Sequence, residues 1–314
     1  MILTVTLNAA LDLTHRVDRL RPHASNRVRS VAARAGGKGV NVSRVLHALG
    51  HQTVVTGLAG GPTGAAVRRD LAAAGIADEL VPITGESRRT VAVFDEQQGD
   101  TTVLLEPGPM VTGAEWERFL DRFEQLVTRA AAVVLSGSLP GGLRHDAYAE
   151  LIHRARAHRV PAVLDTAGPA LLAALGAGPA LVKPNGDELA AAVGRADPRA
   201  GAEALRTAGA GAVVASLGPQ GLIAHTPHGC WRAGPPHGVA GNPTGAGDAA
   251  VAALTLGLVS GTPWPDRLTQ AVALSAAAVA APLAGDFDPE LHRRLLPQVT
   301  VEPLPPYEGD TPCP

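Results

Sequence analysis

What most constrains this chain is a rhythm. Short runs of β-branched and other apolar residues, Ile2–Thr6, Thr53–Thr56, Val133–Ser136, Ala162–Asp165, Leu181–Lys183 and Val213–Ser216, recur between longer stretches rich in Ala and Leu. Runs that short and that apolar read as strands buried on both faces, the condition of the central strands of a parallel sheet. The stretches between them, Val42–Leu49, Gly64–Ala74, Ala114–Arg129, Asp146–His158, Gly186–Val193, Arg199–Ala208 and Ala246–Leu258, are long enough to be the crossover helices that parallel strands need. The alternation predicts an α/β fold: a three-layer, doubly wound, mostly parallel sheet. Aromatic residues are only 3% of the chain beside 36 glycines, which suits close helix-on-sheet packing better than an aromatic-rich sandwich.

Two segments break the rhythm. Residues 11–34 and 88–105 alternate polar with β-branched residues, and Gln97-Gln98-Gly99-Asp100 offers a hairpin turn. They predict a small second sheet beside the main domain, either an edge extension or a lid over a site. One domain is expected over residues 1–300, followed by a tail, 301–314, too proline-rich to pack regularly.

The formal net charge of −2 comes without a clustered basic stretch, so neither nucleic acid nor an anionic membrane is an expected partner. An anionic ligand must be held by local groups. Cys230 and Cys313 form no CxxC or metal-ligand pattern, and the histidines no HxxxH cluster. No disulfide framework or zinc site is expected, and a reducing cytoplasm fits. The opening MILTVTLN reads as a strand, and no run approaches the roughly 20 apolar residues of a membrane span.

Two glycine-rich segments carry chemistry. Asn242-Pro243-Thr244-Gly245-Ala246-Gly247-Asp248 leads directly into the apolar run Ala249–Leu258. The first-turn amides of a helix lack intrahelical partners and the helix dipole adds positive potential, so this turn is built to hold an anion. Asp248 falls in that first turn, placed to take a hydroxyl proton as the oxygen attacks phosphorus. An N-capping aspartate behind a glycine loop would look the same in isolation. The second segment, Ala35-Gly36-Gly37-Lys38-Gly39-Val40-Asn41-Val42-Ser43-Arg44, also enters a helix, with Lys38 and Asn41 near its start. It lacks the GxxxxGK[ST] spacing, so Lys38 is more naturally a partner for a sugar hydroxyl or phosphate than for a nucleotide.

In this order, the two segments resemble the ribokinase-like (PfkB) carbohydrate kinase family, and within it the branch of 1-phosphofructokinases and tagatose-6-phosphate kinases. Supporting segments fall in the expected order along the chain: Leu7-Asn8-Ala9-Ala10-Leu11-Asp12, Gly85-Glu86-Ser87-Arg88, Ser136-Gly137-Ser138-Leu139-Pro140, Lys183-Pro184-Asn185-Gly186-Asp187-Glu188 and Ser216-Leu217-Gly218-Pro219-Gln220-Gly221. The resemblance implies that Asp248 is the catalytic base and that Gly245, Ala246 and Gly247 form the anion hole. It implies sugar contacts from Asp12, Gly37, Lys38 and Asn41, and a phosphate-reading Arg88, with neighbouring Arg89 and the more distant Arg27 as rivals for that role. Lys183, Asn185, Glu188, Ser216, Gly218 and Gly221 match positions bordering ATP, with Mg²⁺ organised through water by Asn185 and Glu188.

The implied reaction is ATP-dependent phosphorylation of a ketohexose phosphate, fructose 1-phosphate or tagatose 6-phosphate, to the bisphosphate. Fructose 6-phosphate or another sugar is the alternative, and an idle phosphosugar sensor on the same fold the rival from another class. The lid implies a monomer or a homodimer joined through it. Ala9 and Ala249 stand where the branch usually has Pro and Ser, which affects the shape of the sugar pocket but removes no charged group.

Overall fold

The computed structural model describes residues 1–235, 239 and 241–305. The chain opens with β1 (Ile2–Thr6), β2 (Ala10–Val17) and β3 (Val28–Gly36), then α1 (Lys38–Ala48), β4 (Thr53–Gly60), α2 (Gly61–Ala73) and β5 (Ala77–Ile83). The hairpin β6 (Arg88–Asp95) and β7 (Asp100–Leu105) precedes α3 (Gly113–Val127), β8 (Ala132–Ser136), α4 (Ala147–Ala157), β9 (Ala162–Asp165) and α5 (Gly168–Leu175). Next come β10 (Leu181–Val182), α6 (Gly186–Val193), α7 (Pro198–Thr207), β11 (Val213–Ser216), β12 (Leu222–Thr226) and β13 (Gly229–Gly234). The last elements are α8 (Ala246–Val259), α9 (Trp264–Val279), α10 (Pro289–Leu295) and β14 (Thr300–Leu304).

The main sheet has ten strands in the order β14-β13-β12-β11-β10-β9-β8-β1-β4-β5. From β11 across to β5 every pairing is parallel, and β12, β13 and β14 add an antiparallel meander. Strand β1 lies between β8 and β4, so the chain winds away from it in both directions. A crevice opens at the carboxyl ends of the strands where such a reversal occurs.

The period-2 alternation of strand side chains feeds two cores. Leu3 and Val5 point to the layer of α3, α4 and α5, where Phe119, Phe123, Tyr148 and Leu151 are fully buried. Ile2 points to the opposite layer, against Val42 and Val45 of α1, Val251 of α8 and Leu268 of α9. This is the predicted three-layer architecture, and the two helical layers fix where each helix start faces.

Segments 11–34 and 88–105 form a separate four-stranded sheet, ordered β3-β2-β6-β7. Strand β2 pairs parallel with β6 and antiparallel with β3. The expected turn sits between β6 and β7, closed by Asp95 Oδ1 accepting from the Gln97 and Gln98 amides, with Gly99 at φ 69°.

The expectation of an irregular tail from 301 needs correcting at its start. Thr300–Leu304 pairs antiparallel with β13, Pro303 facing Trp231. At the outer edge of the sheet a proline forfeits no ladder bond that a further strand would have used. Residues 306–314 of that tail, with Cys313, lie outside the described residues. Among the described residues no helix is long and apolar enough to cross a membrane.

Candidate active site

Two helix starts meet at the carboxyl ends of β1, β9 and β10. Gly37 opens α1 at φ 103° with no side-chain cap, and an added Cβ there would fall 2.7 Å from Thr6 Cγ2. Gly245 opens α8 at φ 89°, again without a side-chain cap. Left-handed backbone of this kind is the province of glycine. Asn41 Nδ2 donates to Asp248 Oδ2 at 2.8 Å, joining the first turns of the two helices inside the protein.

Asp248 is buried, 6% exposed. Its pKa is pushed up to about 7, first by desolvation and then by the Asp165 charge, against the opposing pull of Lys38, Asn41 and Lys183. A carboxylate held near neutrality is matched to accepting a proton at physiological pH.

Asp165, at the end of β9, is the residue the sequence reading missed. It is 1% exposed, and its Oδ1 accepts from Lys38 Nζ at 3.1 Å and lies 3.8 Å from Lys183 Nζ. Its Oδ2 is buried without a protein partner. The available signal was a buried strand, Ala162–Asp165, ending in an acid, since strand ends of a doubly wound sheet are where ligands bind.

The Lys38 ammonium lies between Asp165 and, at 3.6 Å, Glu188 Oε1. Burial works against that charge, but the surrounding carboxylates outweigh it and hold the lysine protonated. Lys183 is buried beneath the glycine-rich start of α8, where a Cβ on Gly247 would approach its Nζ to 3.4 Å.

Asn185 caps α6 and Glu188 reciprocates, Glu188 N to Asn185 Oδ1 at 2.8 Å and Asn185 N to Glu188 Oε2 at 2.9 Å. Ser216 at the end of β11 bridges to Asn185, and the turn after it carries Gly218 at φ 56° and Gly221 at φ 87°. Gly221 has no room for a side chain, since its Cβ would fall 2.0 Å from the Ala233 carbonyl oxygen.

Asp12 and Arg88 enter from the second sheet. Arg88 stands across from Ala10, its Nε donating to the Asn8 carbonyl at 3.1 Å and its Nη1 reaching Thr90 Oγ1 at 3.4 Å. Arg89 points the other way and pairs with Glu106 at 3.1 Å, half exposed. The Asp12 carboxyl is raised by burial, an effect that a Thr90 hydrogen bond and the Arg88 charge partly offset. The site thus links Lys38, Asn41, Lys183, Asp165, Glu188 and Asp248. Among the described residues no hydrogen bond joins Asp12 or Arg88 to Asp248.

Residues 3–291 match the model of the pfkB family of carbohydrate kinases. The chain belongs to that family. Phosphofructokinase-2 from Escherichia coli shares 29% identity over 95% of this chain and 98% of its own, with a TM-score of 0.87. A protein from Thermotoga maritima described as a possible 1-phosphofructokinase shares 27% identity over 97% and 100%, with a TM-score of 0.89. Ribokinase of Arabidopsis thaliana, at 20% identity over 94% and 98% and a TM-score of 0.76, shares the fold. The buried acid at a glycine-rich helix start is therefore part of a carbohydrate kinase.

Proposed function

We propose that this kinase transfers the γ-phosphoryl group of ATP to a hydroxyl of a ketohexose phosphate, fructose 1-phosphate or tagatose 6-phosphate, giving the bisphosphate. The observation that carries the reading is Asp248: buried, raised to about 7 and set beside the uncapped amides of α8. Its carboxylate takes the acceptor hydroxyl proton as that oxygen attacks the γ-phosphorus. Charge gathering on the transferred group is met by the Gly245 and Gly247 amides, with the Lys183 ammonium beneath them; the Ala246 amide, also expected there, is spent on the Pro243 carbonyl at 3.1 Å. The phosphosugar reading is supported by Arg88, whose guanidinium lies on the inner side of the second sheet, and by the Escherichia coli relative, described in complex with fructose 6-phosphate.

ATP would lie along Asn185, Glu188, Ser216, Gly218 and Gly221, with Lys183 at its phosphate end. Among the described residues no cluster of three His, Cys, Asp or Glu could hold a metal ion directly, and Asn185 and Glu188 each spend an oxygen on the α6 cap, so the donors suit an ion held largely through water; Asp165 Oδ2 is buried and unpartnered. Asn185 and Glu188 would hold the ion through water, in the partly hydrated manner magnesium favours, with Asp165 alongside. When bound, it would neutralise charge between the phosphates.

The second sheet acts as the lid, closing over the sugar and excluding water. Helix α2 covers only the base of β2 and β3, and on the face turned away from Asp12 and Arg88 Val31 and Leu104 are 58% and 60% exposed. One relative is described in a tetrameric form. A second copy of this chain is the occupant proposed for that surface, and sedimentation velocity should show a dimer at micromolar concentration. A monomer throughout that range would remove the proposal.

A coupled ADP-release assay with Mg-ATP against fructose 1-phosphate, tagatose 6-phosphate, fructose 6-phosphate, fructose and adenosine tests the function. One phosphoketose should have much the highest kcat/KM. Arg88→Ala should lower that value about 100-fold, by loss of a charge-assisted phosphate contact. Arg89→Ala, with its side chain turned to Glu106, should change it less than about 3-fold. Turnover of unphosphorylated sugars alone would remove the phosphosugar reading. Binding without turnover would make the protein a sensor.

A further inference from the structure

The root of β3 is fastened to the main domain on both sides. The Arg34 guanidinium donates to Asp286 through two bonds, Nη1 to Oδ2 at 2.7 Å and Nη2 to Oδ1 at 2.6 Å, and Nη1 also reaches the Ala284 carbonyl at 3.4 Å. The following amide, Ala35 N, donates to Asp70 Oδ2 at 2.8 Å, and the same carboxylate oxygen accepts from buried Arg44 of α1. None of these residues has a role in the reaction described above.

What they connect gives them one. Arg34 stands directly across from Asp12 in the β2–β3 register. Two residues on, Gly36 lies under the Asp12 carboxylate so closely that a Cβ would fall 2.0 Å from its Oδ2. At the other end of the ion pair, the segment 284–286 backs the anion loop: a Cβ on Gly245 would meet Ala284 Cα at 2.9 Å and the Gly285 amide nitrogen at 3.1 Å. Gly285 also packs on α1, its own Cβ position 3.2 Å from the Cα of Asn41, the residue that holds Asp248. A bidentate Arg–carboxylate pair fixes orientation as well as distance. The Arg34 side chain is 19% exposed and that of Asp286 39%, so the pair is shielded on its arginine side and open to solvent on the other. Nη1 and Nη2 both donate to Asp286, which commits the guanidinium to this carboxylate.

We propose that Arg34 is a positioning residue: through Asp286 it ties the sugar-side strand β3 to the segment backing the anion loop, so that phosphosugar and nucleotide favour each other's binding. The inference rests on the phosphosugar kinase reading for the identity of the two ligands. The tie itself rests on the geometry alone. Because such coupling is reciprocal, it is measurable from either ligand.

Calorimetric titration of the preferred phosphoketose, with and without a non-hydrolysable ATP analogue, measures the coupling in the wild type, Arg34→Gln, Asp286→Asn and the double variant. The wild type should bind the sugar about 10-fold tighter with the analogue present. Each single variant should bring that factor below about 2-fold, and the double should be no worse than either, because both side chains act through one contact. Amide hydrogen exchange supplies a readout independent of any ligand, and both single variants should speed exchange at residues 281–286 and 245–248. Arg34→Gln with full coupling and unchanged exchange would overturn the proposal. If the wild type binds no phosphoketose, the functional reading falls, and exchange alone then judges the tie: unchanged rates overturn it, faster rates uphold it.

Discussion

Replacing Asp248 by Asn should lower kcat by at least about 100-fold while both KM values stay within a few-fold, the pattern for a group needed only as the proton moves. The amide is nearly isosteric with the carboxylate and retains an oxygen for the Asn41 Nδ2 donor, so the junction of α1 and α8 keeps its bond. The pH dependence should change with it. Burial and the neighbouring Asp165 charge favour the protonated form of Asp248, and only the ionised form can accept a proton. Wild-type kcat/KM should therefore fall about 10-fold per pH unit below about 7 and level off above it. The variant's residual activity should lose that limb. Turnover of Asp248→Asn at the wild-type rate would remove Asp248 as the base; a wild-type profile flat from about pH 5.5 to 8 would show that its carboxyl ionises well below 7 in the working enzyme.

How much of this was legible beforehand depended on the distance over which each signal acts. The glycine-led start of α8 with Asp248 in its first turn was readable because glycines, a helix start and an acid all lie within one short segment. The capping pair Asn185 and Glu188 was readable for the same reason. Asp165 was not, because its meaning comes from neighbours that only the sheet order supplies: β9 lies between β8 and β10, bringing its last residue under Lys38 and Lys183. Arg88 and Arg89 are adjacent in sequence and point to opposite faces of a strand, so the pattern could not separate them. The register with β2 does. The antiparallel edge of the main sheet went unread because β13 and β14 are partly exposed and carry Gly and Pro, the residues that usually argue against strands. Lys38 shows the limit of a motif: its position at the start of α1 was predicted, yet the direction of its ammonium is set by two carboxylates from distant β9 and α6.

Gly245→Ala should be nearly as damaging as loss of the base, for a reason lying wholly in the backbone. Gly245 holds φ 89°, and an added Cβ would come to 2.9 Å from Ala284 Cα and 3.1 Å from the Gly285 amide nitrogen. Neither neighbour is a flexible side chain that can turn away. The anion loop or the segment behind it must move. The following residue is pinned, Ala246 N donating to the Pro243 carbonyl at 3.1 Å and the Ala246 carbonyl accepting from Ser275 Oγ at 2.6 Å, so the strain falls on the Gly245 and Gly247 amides. Removing one oxyanion-type donor typically lowers kcat by about 10²–10³-fold, and that is the loss expected, with the phosphosugar KM changed less than about 3-fold. Gly261→Ala separates this collision from simple left-handed strain. Gly261 sits at φ 66° just past the far end of α8 with nothing within 4 Å of its Cβ position, so the exchange costs about 1–2 kcal/mol of stability and leaves kcat alone. Steady-state kinetics beside thermal melts of the two variants decide the matter. If both lose stability equally and neither loses turnover, Gly245 serves only the fold and its amides do not hold the transferred phosphate.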